Sequence, residues 1–398
     1  MKKNWEIKKL GELTLDKMSY GTSSPSCEYD GETRYIRITD INDKGELNED
    51  FVSPISYEEK HVLQDGDIVF ARTGATVGKA YCYHSSDEKY VYAGYLIRLR
   101  PNRKIVLPDY IFYYTKSKNY LDFISASQVA AAQPNVNAEK YSNLEIPLPP
   151  LEEQKRIVKI LDEKIAQLET IKANAQTNLQ NAKDLFQSQL TKAFSNTSWE
   201  KKRLGDVCEI RPSKSETTKY LSDDDNVSFL PMEDLQIMNY YIEPKQSKKL
   251  KEISGSYTCF ANGDVLLAKV TPCFENGKQG IAKDLTNGVG FGSSEYIVFR
   301  PASKLLSEYL YYSLATSDFR ENGKKHLLGA CGLKRLSKDY VNEYNIPLPP
   351  LPEQKRIVEE LDTLSEKVRQ LQEIYTKQIA NCDELKQSLL QKAFSGDL

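Results

Sequence analysis

The feature that most constrains the fold of this chain is a stretch that occurs twice. Residues 146–158 read IPLPPLEEQKRIV, and residues 346–358, which lie 200 positions later, read IPLPPLPEQKRIV. The copies differ only in Glu152 against Pro352, so the chain contains an internal duplication. In each copy the prolines hold the backbone extended, and the acidic residues that follow indicate the first turn of a helix.

Further pairs of similar segments show that the duplication runs through the whole chain. Each repeat has a similar opening, a Gly-Asp turn before a buried strand, a glycine-bearing loop, a second strand, and an aromatic segment that is predicted to be helical. The paired segments are 5–13 with 199–207, 66–79 with 263–278, 95–101 with 296–301, and 109–115 with 308–313. The sequence between them diverges, as expected for two units that do the same job on different targets.

A long segment without glycine or proline follows the first proline motif. Its apolar residues alternate in steps of three and four, with Lys172 as one polar intruder, and the second copy repeats the pattern less regularly. This spacing is typical of a coiled-coil seam. If Leu151–Phe194 is helical throughout, it is about 66 Å long. Both copies end in the letters KAFS, and we expect the next residue, Asn196 or Gly396, to close the helix in the left-handed conformation.

These segments predict two long helices that pack against each other in antiparallel orientation. The repeat then gives an α+β fold with internal pseudo-twofold symmetry: two domains of mixed β-sheet with helices, joined by a long antiparallel two-helix coiled coil. An alternative is a pair of separate surface helices, each covering its own domain. We expect domain boundaries at 1–150 for the first globular domain, 151–198 for the central helix, 199–350 for the second globular domain, and 351–398 for the C-terminal helix.

The composition limits the classes of function. Lys and Arg number 54 against 56 Asp and Glu, so any contact with DNA has to come from local clusters of charge. The seven cysteines include no CxxC pair and the three histidines are far apart in sequence, which predicts no metal site and a reducing compartment. A signal-like segment and an apolar run of about 18 residues are both missing, so we expect a cytoplasmic protein.

With these motifs the chain resembles a known family, the specificity subunits of type I restriction-modification enzymes. The resemblance implies that each globular domain is a target recognition domain that reads one half of a bipartite DNA sequence. It further implies that the helices set the spacer and dock methyltransferase subunits, that restriction-translocase subunits join this core, and that the system defends against foreign DNA. The resemblance is carried by Ile146–Leu151, Glu153–Ile157, their partners 200 residues on, and the Gly-Asp blocks at Gly66 and Gly263.

Motifs for catalysis are missing from the sequence. Gly74–Lys79 is one residue too short for a P-loop, and Ala80 stands where Ser or Thr would hold magnesium. The Asn/Asp-Pro-Pro-aromatic motif of amino-methyltransferases and a Pro-Asp…Glu-x-Lys nuclease pattern are also lacking. We therefore expect a chain that is not an enzyme, with S-adenosylmethionine, magnesium and ATP bound only by partner subunits.

Two stretches in each repeat carry side chains suited to reading DNA. Lys and Arg neutralise phosphates, Arg also binds guanine in a bidentate manner, and amide side chains suit adenine. The alternative is that these are hairpin turns and a capped turn with solvated charges. The candidates in the glycine-bearing loops are Arg72, Thr73, Lys79, Lys269, Thr271 and Lys278, and those before the proline motifs are Gln133, Asn135, Lys334 and Arg335.

Two other functions stay open at this point. The near-neutral charge and the 25 tyrosines also fit a coiled-coil scaffold whose globular domains bind protein or glycan. The second open function is that of a free-standing DNA reader without an active nuclease. The tyrosines on the aromatic segments, such as Tyr110 and Tyr309, are expected to pack in the core rather than to stack on bases.

Overall fold

The computed structural model describes residues 5–85, 88–129, 135–196, 198–237, 240–253, 255–329 and 332–398. The chain forms two compact units, the first made of Met1–Gln176 with Thr376–Leu398 and the second of Thr177–Tyr375. Each unit therefore contains one globular part and a portion of both long helices. The expected division into four segments remains an interpretation of the sequence repeat.

The first repeat contains ten strands and four α-helices among the described residues. The strands are β1 (Glu6–Lys9), β2 (Ser19–Tyr20), β3 (Ser26–Glu28), β4 (Thr33–Ile36), β5 (Val52–Pro54), β6 (Ile68–Ala71), β7 (Ala80–Cys82), β8 (Lys89–Tyr92), β9 (Leu96–Leu99) and β10 (Glu145–Leu148). The helices are α1 (Pro108–Tyr114), α2 (Lys118–Val129), α3 (Ala138–Ser142) and α4 (Leu151–Phe194).

The second repeat has twelve strands and seven α-helices in the part that the structure describes. Its strands are β11 (Lys201–Arg203), β12 (Cys208–Ile210), β13 (Asn226–Leu230), β14 (Gln246–Lys249), β15 (Thr258–Ala261), β16 (Val265–Ala268), β17 (Gln279–Ile281), β18 (Val289–Gly292), β19 (Tyr296–Pro301), β20 (Leu327–Leu328), β21 (Arg335–Leu336) and β22 (Asn345–Pro347). The helices are α5 (Leu204–Val207), α6 (Lys214–Thr217), α7 (Leu250–Ile253), α8 (Ser307–Ala315), α9 (Ser317–Lys325), α10 (Lys338–Glu343) and α11 (Leu351–Ser395).

Each unit is built on a four-stranded antiparallel sheet. The strand order is β2-β9-β6-β7 in the first unit and β12-β19-β16-β17 in the second. A parallel pair, β4 with β8 or β13 with β18, also recurs. The strand of each proline motif pairs with the opening strand of its own repeat, β10 with β1 and β22 with β11. The strands and aromatic helices predicted from the repeat are therefore confirmed, and the sheets are mixed as expected.

A buried ion pair explains the repeated Gly-Asp turn. Asp67 accepts two hydrogen bonds from Arg100, at 2.9 and 2.8 Å, and Asp264 does the same with Arg300 at the same two distances. Both aspartates are 1% exposed. The bidentate pair ties the turn before β6 or β16 to the end of the neighbouring strand.

The glutamine of the first proline motif joins α4 to the globular part. Gln154 is fully buried; its side-chain oxygen accepts from the Leu107 amide at 2.9 Å, and its nitrogen donates to the carbonyls of Ile105 (3.0 Å) and Pro149 (2.8 Å). Gln354 repeats this pattern with Leu306, Lys304 and Pro349. The motif therefore orients each long helix on its own domain.

The two long helices pack against each other in antiparallel orientation within each unit. In the first unit, Lys386 on α11 lies 2.8 Å from Glu169 on α4, and Asp383 lies 2.6 Å from Lys172. In the second unit, apolar residues of the two helices share one core, among them Phe186 on α4. The predicted coiled coil is confirmed, and the alternative of two separate helices is wrong. Lys172, the polar residue in the otherwise apolar seam, is explained by its ion pair with Asp383 on the other helix.

The two helix ends differ. Gly396 has a φ of 84°, as predicted for a left-handed closing residue. The same prediction for Asn196 is wrong, because Asn196 is not among the described residues with positive φ. Its side-chain oxygen instead accepts hydrogen bonds from the backbone nitrogen and hydroxyl of Ser198, at 2.9 and 2.8 Å. These side-chain hydrogen bonds end the first long helix without a left-handed residue at Asn196.

The tyrosines on α1 and α8 pack in the core, as expected. Tyr110 and Tyr309 are fully buried, and their hydroxyls donate to the carbonyls of Pro147 and Pro347 at 2.7 and 2.9 Å. These bonds add a second tie between each aromatic helix and its proline motif. Among the described helices, none is both long and apolar enough to cross a membrane.

Candidate nucleic-acid interface

In the first unit, the two stretches that the sequence singled out are joined through the backbone. Thr73 and Asn135 form an antiparallel β-bridge, and the amide of Val136 donates to the carbonyl of Arg72 at 2.9 Å. Arg72 and Thr73 directly follow β6, while Asn135 precedes α3. We call Arg72, Thr73 and Asn135, with the neighbouring Tyr20 and Tyr95, the first edge.

Arg72 is held between two aromatic rings at the first edge. Its guanidinium carbon lies 4.9 Å from the ring centroid of Tyr20 and 5.7 Å from that of Tyr95, close enough for cation–π attraction. Both rings are open to solvent, with Tyr20 40% and Tyr95 58% exposed. The half-buried Arg72 therefore has a restricted orientation beside exposed aromatic surface.

In the second unit the corresponding stretches meet in the same way. Val270 and Arg335 form the bridge, the Thr271 amide donates to the Lys334 carbonyl at 2.9 Å, and the Lys334 amide donates to the Thr271 hydroxyl at 3.0 Å. The Leu336 amide donates to the carbonyl of Lys269 at 2.8 Å. We call Lys269, Thr271, Lys334 and Arg335, with Glu295, the second edge.

A carboxylate sits among the cations of the second edge. Glu295 accepts from Arg335 at 2.8 Å and lies 3.7 Å from the ammonium of Lys269. The hydrogen bonds from Arg335 hold the pKa of Glu295 below its usual value, so it is an anion at neutral pH. Burial lowers the pKa of Lys269, whose ammonium also donates to the Ser294 carbonyl at 2.7 Å. Arg335 itself is exposed.

Lys269 also lines a basic pocket beside the second edge. The pocket has a volume of about 290 Å³, and Arg211 and Lys214 contribute to its wall with Tyr257 and Tyr296. Arg211 adopts a φ of 61°, in the left-handed region that a non-glycine residue rarely occupies. Three cationic side chains around one depression make this part of the second unit suited to an anionic ligand such as a phosphate.

The remaining predicted residues lie elsewhere or cannot be placed. The ammonium of Lys79 is 2.8 Å from Asp43, and that of Lys278 donates to the Met232 carbonyl at 2.9 Å, so neither forms the contacts that define the edges. Gln133 lies outside the described residues. The contacts of the other seven predicted residues place three of them at the first edge and four at the second.

Sequence reasoning missed the aromatic and acidic members of the edges. The amides of Arg72 and Lys269 donate to the carbonyls of Tyr95 and Glu295 respectively, which makes Tyr95 and Glu295 structurally equivalent. Counting back from the Arg-Pro pair that follows β9 and ends β19 gives the same match, so the sequence contained the signal. The position carries an aromatic residue in one unit and a carboxylate in the other, the kind of change expected where the scaffold is shared and the target differs.

Comparison with known proteins gives the family of the chain. The family model for the type I restriction modification DNA specificity domain matches residues 2–180 and 196–379. The specificity subunit of the type I restriction enzyme EcoAI from Escherichia coli is 34% identical over 194 residues, which cover 48% of this chain and 30% of that protein. The match to the EcoEI subunit covers 26% of its length, so the chain spans less than a third of these two relatives.

Other relatives match along the whole chain. A putative specificity subunit, MjaX of Methanocaldococcus jannaschii, is 25% identical over 99% of this chain and 94% of its own length. The HsdS subunit of Thermoanaerobacter tengcongensis has the same fold, with a TM-score of 0.60, 24% identity, and coverage of 100% and 98%. A chain from a structure described as the basis of complex assembly of the type I R-M system gives a TM-score of 0.76 at 24% identity, over 99% of this chain and 98% of that chain. The chain thus belongs to the type I restriction modification DNA specificity domain family.

Proposed function

We propose that this chain is the sequence-specific DNA-recognition subunit of a type I restriction-modification complex, in which each globular unit reads one half of a bipartite target. The observation that carries the proposal is the pair of edges. The same two stretches are joined by the same backbone pairing in both units, yet they present different side chains. A shared scaffold with different reading groups is what a target with two unlike halves requires.

The first edge has the chemistry for reading base pairs in the major groove. The planar guanidinium of Arg72, oriented by Tyr20 and Tyr95, suits bidentate binding to guanine, and the carboxamide of Asn135 suits adenine. The exposed tyrosine rings add surface for contact with a thymine methyl group or a sugar. We assign base reading in the first half of the target to Arg72 and Asn135.

The second edge would read DNA with a different set of groups. The guanidinium of Arg335 is exposed and is oriented by Glu295 at 2.8 Å, which favours a fixed geometry over a freely moving charge. Lys334 is exposed beside it, and the basic pocket around Lys269 is suited to a backbone phosphate. We assign base reading in the second half to Arg335 and phosphate binding to Lys334, Lys269 and their basic neighbours.

The remaining roles follow from the same proposal. The long helices would set the number of base pairs between the two halves and would dock the methyltransferase subunits, with restriction-translocase subunits completing the complex. The chain would hold no catalytic site, so S-adenosylmethionine, magnesium and ATP would be bound by the partner subunits. The complex would act in the cytoplasm, where foreign DNA arrives. The names of the relatives as restriction-enzyme specificity subunits support these roles.

The test is to map methylated bases in DNA from a host that carries this chain with its methyltransferase partner. One split sequence should be modified throughout the genome. Exchanging residues 5–145 for the same domain of a relative should change the first half of that sequence and leave the second half unaltered. Methylation that ignores the DNA sequence would contradict the proposal.

A salt titration separates this function from a scaffold that binds protein or glycan. Binding to duplex DNA should weaken steeply as salt rises, because phosphate contacts release counterions. A complex that binds duplex DNA weakly and without salt dependence would instead favour the scaffold.

A further inference from the structure

Three side chains of the first unit converge at a place that the proposed function does not use. Cys82 ends β7, His84 follows two residues later, and Asp109 lies in the first turn of α1. The sulfur, one imidazole nitrogen and one carboxylate oxygen all lie within 4.8 Å of one another. Of the residues that the structure describes, these three form the one such group of His, Cys, Asp and Glu.

The spacing of these atoms is close to that of metal ligands. Zinc binds sulfur at about 2.3 Å and nitrogen or oxygen at about 2.0–2.2 Å, which separates tetrahedral ligand atoms by roughly 3.3–3.8 Å. Nε2 of His84 and Oδ1 of Asp109 are 3.3 Å apart. His84 is exposed, so its ring has freedom to close the remaining distance to the buried thiol of Cys82.

We propose that Cys82, His84 and Asp109 form a binding site for a divalent transition metal, with zinc as the metal that fits the ligands best. One thiolate, one imidazole and one carboxylate are the donor types that zinc takes in proteins, whereas magnesium and calcium prefer oxygen donors. All three side chains line a pocket of about 430 Å³, which leaves room for a water molecule as the fourth ligand.

The second unit provides an internal comparison. Cys82 pairs with Ile68 in the first sheet. Val265 is the equivalent of Ile68 in the second sheet and pairs with Ile281, so Ile281 stands at the position of Cys82. The Gly66 amide donates to the Tyr83 carbonyl, and the Gly263 amide donates to the Ala282 carbonyl, so Tyr83 and Ala282 are equivalent. The next residue in each unit is then His84 in the first and Lys283 in the second. Isoleucine and a protonated lysine do not bind zinc, so the site would exist in one unit of the two.

Bound metal would join two parts of the first unit. It would connect the end of β7 to α1, and α1 carries Tyr113, whose hydroxyl donates to Asp162 on α4. A ligand that binds the folded chain and not the unfolded chain raises stability by mass action. The metal should therefore stabilise the contact between the first globular part and the first long helix.

The test is a titration of the full chain, freed of metal with a chelator, with Co²⁺ as a spectroscopic probe and Zn²⁺ as its competitor. We expect one ion per chain, a thiolate-to-cobalt charge-transfer band, and displacement of that band by Zn²⁺. Cys82→Ser should abolish the band, and His84→Gln and Asp109→Asn should weaken affinity about tenfold or more. At a fixed concentration, Zn²⁺ should also raise the unfolding temperature of the wild type by more than that of His84→Gln.

Matched controls keep the result decisive. Cys208→Ser removes a buried thiol of the second unit, and His326→Gln removes an imidazole of that unit; both variants should bind the metal like the wild type. His84 is exposed, so its variant should remain folded and tests the site even if Cys82→Ser does not fold. The proposal is overturned if the wild type binds no ion with a thiolate band, or if the His84 and Asp109 variants retain the full affinity.

Discussion

The side-chain oxygen of Gln154 accepts a hydrogen bond from the backbone amide of Leu107, which precedes α1, at 2.9 Å. The side-chain nitrogen of Gln154 donates to the carbonyls of Ile105 and Pro149. We expect Gln154→Leu to lower the free energy of unfolding by about 2–4 kcal/mol, because it leaves buried backbone groups without partners. Chemical denaturation should show the loss, and hydrogen exchange should be faster at residues 105–107.

The matched control for this change is Gln180→Leu on the same helix. Gln180 is exposed and donates to Asp184 one turn away, so its substitution should change stability by less than about 0.5 kcal/mol. Equal effects of the two substitutions would show that the buried carboxamide has no special role.

A second prediction concerns Arg72 and the first half of the DNA target. Arg72→Ala should reduce discrimination at one base pair of the first half by about 1–3 kcal/mol and leave the second half unaffected. Arg72→Lys should not restore it, because an ammonium lacks the planar fork that binds guanine in a bidentate manner, the group that Tyr20 and Tyr95 flank in the wild type. Competition binding of the methyltransferase complex to a library of substituted duplexes measures both effects.

The control for Arg72 is Lys140→Ala in α3, an exposed cation close to Asn135. It should weaken binding evenly across sequences, as expected for loss of a phosphate contact. If Arg72→Ala also lowers affinity evenly, Arg72 binds phosphate and does not read a base.

The sequence was sufficient for much of the fold because the strongest physical signals are local. The helix predicted over Leu151–Phe194 is observed with those bounds, since proline blocks its extension at one end and the seam is apolar apart from Lys172. The strands after Gly66 and Gly263 follow from a turn and a continuous apolar run. The antiparallel coiled coil follows because each seam needs a partner to be buried.

Other features depend on tertiary contacts that leave no local pattern. Lys172 interrupts the seam, and its partner Asp383 is 211 residues away in the chain. The sequence placed Thr73 and Asn135 in separate stretches, and it is folding that joins them. Lys79 was predicted to contact DNA as a cation in a glycine-bearing loop, and no local pattern indicated its ion pair with Asp43, which lies in a divergent segment.

A third prediction concerns the carboxylate of the second edge. Glu295→Gln removes the negative charge beside Arg335 and Lys269, so affinity for any duplex should rise by about 1 kcal/mol, with a steeper dependence on salt. Discrimination in the second half of the target should fall at the same time, because Arg335 loses the group that orients it. Binding measured over a range of salt concentrations for cognate and substituted duplexes separates the two effects.

Glu321→Gln is the control for Glu295, since Glu321 pairs with Lys324 on α9 and has no contact with the second edge. It should leave both affinity and discrimination unchanged. Unaltered discrimination in Glu295→Gln would mean that Arg335 does not depend on its carboxylate partner to bind the base.

The last prediction uses a lysine that the fold places in an unfavourable environment. Lys116 lies with its ammonium 4.7 Å from the ring centroid of Phe112, and burial, with repulsion from Lys386 and Lys79, lowers its pKa to about 8. Asp43 and Glu46 oppose this shift. Below that pKa the folded chain holds a half-buried charge, so Lys116→Met should raise the free energy of unfolding at pH 7 by about 1–3 kcal/mol.

The sign of the pH dependence follows from proton counting. Between about pH 8 and 10.5 the unfolded chain keeps the proton of Lys116 while the folded chain has lost it. Titration of Lys116 therefore raises the free energy of unfolding of the wild type as the pH rises through this range. The advantage of Lys116→Met should therefore shrink as the pH rises from 7 to 10. Lys118→Met, at an exposed site paired with Asp122 at 2.8 Å, should show no such trend. An advantage of Lys116→Met that stays constant across this range would mean that the substitution acts through packing and not through the charge.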